Sequence, residues 1–326
     1  MTFDVGADQA DVVGRAVDGL PVDCNCQRSA YGAVDESQFG IRMNHLDLRA
    51  SAIIIVMKAT LWDQLAGARV FDLEQVRFAG MPIHPAHKPG YFYALHRRHR
   101  DSYRPQQHGP RSGASGILTM MEHSGTHIDA LCHQACDLRF HGGIAVDEVE
   151  RSDGYTALGA ETMRPLLGRG VLLDVARWKQ VDALPLNYAI SSDDLDGCAR
   201  EAGVEVRPGD VLLVRTGYGT RWTEEATYLN AAGVSKSGNI WAAEKRVSAV
   251  GADNMAWDAM QERDPDTNMM LFGHAHLLVT HGIHIIENLN LEELASAGHR
   301  EFCFVGIPLK LRGATGSPIR PLALVE

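Results

Sequence analysis

The chain contains no run approaching the roughly 18 consecutive apolar residues that a membrane span requires. Its longest candidate, Ala52-Ile-Ile-Ile-Val-Met57, is the length of a buried strand or a turn or two of helix. It also lacks a surplus of positive charge: 31 Lys and Arg stand against 41 Asp and Glu, for a net charge of −10. Such a surface repels phosphate backbones and anionic lipid, which excludes nucleic acid and membranes as partners. Cysteine is sparse, with Cys24, Cys26, Cys132, Cys136, Cys198 and Cys303 spread over 326 residues. That is too few for a disulfide scaffold and fits reduced thiols. The start, Met1-Thr-Phe-Asp-Val-Gly-Ala-Asp, has neither the cationic opening nor the apolar run of a secretory signal, so the expected compartment is the cytoplasm.

Several catalytic signatures are missing as well. There is no G-x-S-x-G elbow and no H-E-x-x-H pair, and Thr216-Gly-Tyr-Gly-Thr-Arg221 lacks both a Walker lysine and the third glycine of a dinucleotide loop. That segment reads as a turn after a strand. Without repeats, low-complexity stretches or a Pro/Ser-rich linker, the chain is expected to form one domain over residues 51–326, preceded by an irregular polar arm over residues 1–50.

Periodicity predicts mixed α/β structure. Short β-branched runs bounded by turn formers mark strands at 116–122, 170–175, 210–215 and 300–305, with a further short strand at 69–73. Helical patterns are expected at 51–68, 160–167, 191–202, 253–262 and 291–297. Ser191-Ser-Asp-Asp194 supplies cap and first-turn acid for the third of these, and Gly203 its stop.

The chemistry concentrates in His123-Ser-Gly125-Thr126-His127-Ile-Asp129-Ala-Leu-Cys-His133. In an extended chain, side chains two apart share a face, so His123, His127, Asp129 and His133 would line one side together. Three imidazoles and a carboxylate suit Zn²⁺ or Mn²⁺ without a thiolate. Thr126 is placed to orient the carboxylate or a histidine, and Gly125 to admit a close neighbour. A second cluster, Gly273-His274-Ala-His276 through His281, His284 and Glu287, is apolar enough to be buried; His276 and Glu287 are the candidates to close the coordination of one ion or bind a second. The alternative for Glu287 is a cap on the helix that follows. Cys132 beside His133 is poorly placed as a nucleophile, since neighbours on a strand point opposite ways. His141, in Phe140-His-Gly-Gly143, is the candidate general acid/base, with His133 as the substitute.

This H-x-G-T-H-x-D-x-x-x-H pattern resembles the signature of the cyclase family of metal-dependent hydrolases, whose members include bacterial kynurenine formamidase and isatin hydrolase. Further matches are Phe71-Asp-Leu73 with Gly80-Met-Pro82, Gly142-Gly143 leading to Val146-Asp-Glu148, Gly170–Asp174, Gly209–Leu213, the block from His276 to Glu287, and Gly316-Ser-Pro-Ile-Arg320. Ala130-Leu-Cys-His133 departs from the family's usual Ala-Pro-x-His, and the N-terminal arm is longer than in the smallest members. The resemblance implies an α/β fold of the swivelling β/β/α kind, with a central β-barrel-like mixed sheet flanked by helices, and assembly as homodimer or homotetramer. It also implies one or two Zn²⁺ or Mn²⁺ ions held by His123, His127, Asp129 and His133 with His276 and Glu287. The expected reaction is hydrolysis of an amide or lactone in a small, cyclic or aromatic substrate by metal-activated water. The loop from Met81 to Tyr93, with its aromatics and His84, suits a planar organic acid or amide. A non-catalytic metal-binding protein and a metal-dependent lyase or isomerase are the alternatives.

Overall fold

The computed structural model describes residues 63–326. The expected arm at residues 1–50 and most of the helix expected at 51–68 lie outside the described residues. Nine strands form the main sheet: β1 (Arg69–Asp72), β2 (His127–Asp129), β3 (Leu166–Asp174), β4 (Val211–Arg215), β5 (Ala249–Ala252), β6 (His284–Glu287), β7 (Glu301–Gly306), β8 (Gly316–Pro318) and β9 (Leu322–Val325). Their order is β1-β9-β7-β3-β4-β5-β6-β2-β8. The middle strands β3 to β6 run parallel and the flanking pairs antiparallel.

In a flat sheet β1 and β6, six strand spacings apart, would be separated by about 29 Å. Glu74, just beyond β1, instead bridges to Leu289, just beyond β6. The amide of Gln75 also donates to Thr126 Oγ1 ahead of β2 (2.9 Å). The sheet therefore curls back on itself, barrel-like but with β1 and β8 unpaired to each other. The curl makes two cores. Alternate residues of β3 and β4, Val171, Leu173, Leu212 and Val214, pack outward with the helices α1 (Ser192–Ala202) and α2 (Lys236–Glu244). Leu172, Val211 and Leu213 point into the curl with Phe71, Ile128, Ile286 and Phe304. Burial on both faces explains why these strands read as unbroken apolar runs.

Each expected strand is present, shifted by a few residues where its ends were set. Two helices formed as the local chemistry indicated. α1 carries a capping box between Ser191 and Asp194 and stops at Gly203 in the left-handed region. α3 (Glu292–Ser296) occupies the last helical pattern.

Two expectations fail. Over 160–167 only a 3-10 turn, Ala160–Thr162, forms before β3 begins at Leu166. Pro165 keeps Arg164 extended, and strand pairing with β7 takes over. Over 253–262 there is no helix, because Asp253 spends its carboxylate elsewhere. It accepts from the Thr216 amide and hydroxyl (both 2.7 Å), the Gly217 amide (2.9 Å) and the Gly219 amide (3.2 Å). The Thr216–Arg221 segment is thus a turn built around one buried acid that joins the ends of β4 and β5. Asp253→Ala would strand these donors in the core; urea unfolding at constant m-value is predicted to show a loss of about 2–4 kcal/mol.

Candidate metal centre

The register of β2 assembles the site. His127 lies opposite Glu287 of β6, and Asp129 opposite Gly316 of β8, so His127, Asp129 and Glu287 share one face while Ile128 and Ile286 fill the inner core. Only His127–Asp129 of the motif is strand. Gly125 turns the chain at φ 65°, with the Arg77 guanidinium packed where a Cβ would sit, and so brings His123 back over Asp129. Gly316 has no Cβ because one would lie 2.6 Å from the His123 ring. His274 arrives from the first turn of an eight-residue π-helix, His274–His281, a rare geometry that recurs at functional sites.

The hydrogen bonds fix which nitrogen each histidine presents. Thr315 donates its hydroxyl to Glu122, so Thr315 Oγ1 accepts from His123 Nε2–H (2.7 Å) and the Nδ1 lone pair of His123 is left facing Asp129. His127 donates Nδ1–H to the Gly125 carbonyl (2.9 Å), turning Nε2 toward Asp129 Oδ1 (3.6 Å) and Glu287 Oε2 (3.7 Å). His274 donates Nδ1–H to Asp258 (2.8 Å) and turns Nε2 toward Glu287 Oε1 (3.3 Å) and Asp129 Oδ2 (3.6 Å). His123 Nδ1 lies 2.9 Å from Asp129 Oδ1, yet neither this nitrogen nor either Asp129 oxygen makes a well-directed hydrogen bond, although all three are buried. Three inward imidazole nitrogens and two carboxylates thus converge. A cation, whether a proton or a metal ion, reconciles such a set, and imidazole with carboxylate is the donor set of a divalent transition ion.

The electrostatics agree. Burial alone would raise the Asp129 carboxyl, but His133, His123 and His127 around it hold it well below the usual range. Burial opposes protonation of His274 and His123, yet Asp258 with Glu287, and Asp129, raise both above an ordinary histidine. The site thus attracts even a proton, the simplest cation.

His133 differs. Its ring stacks on His123 (4.0 Å), makes no hydrogen bond among the described residues, and is pushed down by burial to about 3, so it is a neutral base near pH 7. His87, from the 3-10 turn Pro85–His87, also stacks on His123 (4.8 Å), 6.0 Å from His133, and is held at about 4 by burial and by His123. These groups floor a cavity of about 240 Å³.

The sequence profile of the Cyclase family matches residues 71–259. The chain belongs to the cyclase family. Among its cyclase-family relatives, the kynurenine formamidase of Bacillus cereus is 28% identical over 208 residues, covering 63% of this chain and 77% of that one. The isatin hydrolase of Roseibium aggregatum is 26% identical over 224 residues, 64% and 73% of the two chains. A crystal structure described as a novel cyclase superposes with TM-score 0.70 at 30% identity, covering 79% of this chain and 87% of its own. An isatin hydrolase bound to the product analogue thioisatinate shares the fold, with TM-score 0.60 at 22% identity over 87% of this chain and 99% of its own. The α/β, barrel-like expectation and the hydrolase expectation agree with these cyclase-family proteins.

Of the residues singled out in the sequence, His123, His127, Asp129, His133 and Glu287 meet in this cyclase-family cavity, and His276 and His141 do not. His276 stacks on Phe272 (5.1 Å) and meets His281 edge-on (4.6 Å), and the neighbouring His274 takes the place expected for it. His141 binds the Val279 carbonyl (3.0 Å) and packs at Gly282, outside the cavity lining. Glu287 caps no helix; it ends β6 and accepts from the Ala256 amide (2.9 Å). Thr126 holds no ligand, as its hydroxyl donates to the Asn288 carbonyl (2.6 Å). Cys132 is no nucleophile, since burial pushes its thiol up to about 12.

His87, His274, Asp258, Thr315 and Glu122 were not singled out beforehand. His87 had a local signal, a histidine in a Pro- and His-rich loop, and His274 stood in the second histidine cluster beside the His276 that was preferred. Asp258 receives Asn239 Nδ2 (2.8 Å) and the Gly273 amide (2.8 Å) besides His274, so it is fixed from three sides. Asp258→Asn is predicted to weaken Zn²⁺ affinity about 10- to 100-fold in competition titrations, with the fold retained by circular dichroism.

Proposed function

We propose that the protein hydrolyses an amide or ester bond of a small substrate at a centre of one or two Zn²⁺ or Mn²⁺ ions. The observation that carries this reading is the convergence of His123, His127 and His274 on Asp129 and Glu287 beneath a cavity that is also lined by a neutral imidazole, His133. His123, His127 and Asp129 would hold one ion. Asp129 is shared with a second group, Asp129, His133 and His274, which supports a second ion, with Glu287 beside His274 as a further donor. The chemistry such an ion supplies when bound is Lewis acidity, which polarises a carbonyl and makes water acidic enough to attack near neutral pH.

The remaining work falls to side chains. His133 can take the proton from the attacking water and return it to the leaving nitrogen or oxygen, because neither of its nitrogens is hydrogen-bonded among the described residues. Glu287 and Asp129 fix the ligand imidazoles. Burial of the floor keeps bulk water from competing with these contacts.

The same reading favours the homodimer or homotetramer. The hairpin of Tyr91–Arg97 and Ser115–Met120 pairs with no third strand among the described residues and exposes Phe92, Tyr93, Leu95, Ile117 and Leu118. Its tip, from His96 to Arg111, carries five arginines against one acid in a chain of net charge −10. A two-stranded ribbon is marginal in water by itself, and an acidic second copy would cover it. Light scattering after size exclusion is predicted to give at least a dimer, and Ile117→Glu with Leu118→Glu a smaller species; a monomer in both contradicts the assembly.

Elemental analysis and kinetics separate the roles. Asp129→Ala is predicted to lose both metal and activity against aryl formamides and lactones. His133→Ala is predicted to keep its metal and lose about 10²- to 10⁴-fold in kcat. Full activity in metal-stripped protein would overturn the reading.

A further inference from the structure

The π-helix His274–His281 presents chemistry on more than one side. His274, at its start, lines the cavity beside a wall that Met255 and Ala256 form after β5. Leu277 and Leu278 are buried in the outer core. His276 and His281 belong to neither group: the first is half-buried, the second is exposed, and neither lines the cavity. Their ring centroids are nonetheless 4.6 Å apart. The π geometry is what pairs them. Residues five apart on an α-helix stand about 140° apart around the axis, whereas the π-helix hydrogen bond itself links i with i+5 and sets the two residues one above the other.

The two rings are arranged as ligands of a single ion are. An imidazole lone pair lies in the ring plane, so parallel stacked rings aim past one another, whereas these planes cross at 66°. With metal–nitrogen bonds of about 2.0–2.1 Å, two imidazoles on one ion place their centroids about 4.5 Å apart at a right angle and about 5.2 Å apart at the tetrahedral angle. The observed 4.6 Å fits the right angle, which is the tetragonal geometry of Cu²⁺ and Ni²⁺. His276 is also held in place, because its ring stacks on Phe272 (5.1 Å, 23°). Lys236 stands over the same Phe272 ring (5.3 Å), but its charge is met by Asp264 (2.6 Å) and Asp266 (2.8 Å). These three groups therefore add no surplus positive charge beside the histidine pair.

We propose that His276 and His281 form a second metal site, outside the cavity, which takes a late divalent transition ion, Cu²⁺ or Ni²⁺ before Mn²⁺, with water completing the coordination. An ion held there ties residue 276 to residue 281, which a π-helix permits and an α-helix over the same residues does not. Binding therefore stabilises the helical form that turns His274, rather than His276, into the cavity. The site goes beyond the hydrolase reading and does not depend on it.

Electron paramagnetic resonance of bound Cu²⁺ tests the site, and amide hydrogen exchange tests its consequence. On the Zn²⁺-loaded full chain, Cu²⁺ is predicted to bind with two imidazole nitrogens, and His276→Ala and His281→Ala each to weaken that binding by at least about tenfold. Asp129→Ala, which removes a ligand from the cavity floor, is predicted to keep it. Saturating Ni²⁺ is predicted to slow exchange of the amides of residues 278–283 by at least about tenfold in the parent and to leave His281→Ala unmoved. Cu²⁺ binding that survives both histidine substitutions, or that Asp129→Ala abolishes, overturns the site. Exchange that Ni²⁺ slows no more in the parent than in His281→Ala overturns the link to the π-helix.

Discussion

Lone pairs that face one another in a dry interior repel, and the fold gathers them nonetheless. His123, His127 and His274 each bind an acceptor through the outer nitrogen, and each therefore turns its other nitrogen toward Asp129 or Glu287. The cost of desolvating two carboxylates is several kcal/mol per ion, offset when a cation is placed among them. Much of the surrounding structure serves to keep those acceptors pointed inward. Glu122 and Thr315 hold one histidine, the Gly125 carbonyl a second, and Asp258 with Asn239 the third.

The curl of the sheet makes this gathering possible. β2 and β6 are neighbours and supply His127, Asp129 and Glu287 directly, whereas Thr315 precedes the edge strand β8 and Gln75 follows the opposite edge strand β1. Closing the sheet onto itself brings both edges to the motif. The parallel strands β5 and β6 then deliver the wall and one carboxylate from their C-terminal ends, where open α/β sheets commonly place ligands. Asp253 locks the β4–β5 end of this arrangement from behind, through four donors on the loop that begins at Thr216.

How much of this was legible in the sequence follows from contact range. The motif residues are two to four apart, so periodicity alone gathered His123, His127, Asp129 and His133, and the apolar runs of β3 and β4 announced buried strands. His274 and His276 are chemically identical and two apart in sequence. What chooses between them is Asp258, 16 residues earlier, together with the π-helix that sets which histidine faces inward. The helix expected over 253–262 failed for a related reason. Asp253, Asn254 and Asp258 look like cap and surface residues locally, but each is engaged by a partner brought from elsewhere in the fold. His141 illustrates the converse: adjacency to the motif in sequence suggested a role, and a single backbone carbonyl, that of Val279, holds it outside the cavity.

The most direct test of the account is an anomalous-difference map from crystals of protein purified without a metal-affinity tag and soaked in Zn²⁺. The account predicts a peak in contact with the Asp129 carboxylate and the inward nitrogens of His123, His127 or His274. No peak there in well-ordered crystals, or a peak held instead by cysteines, would contradict it.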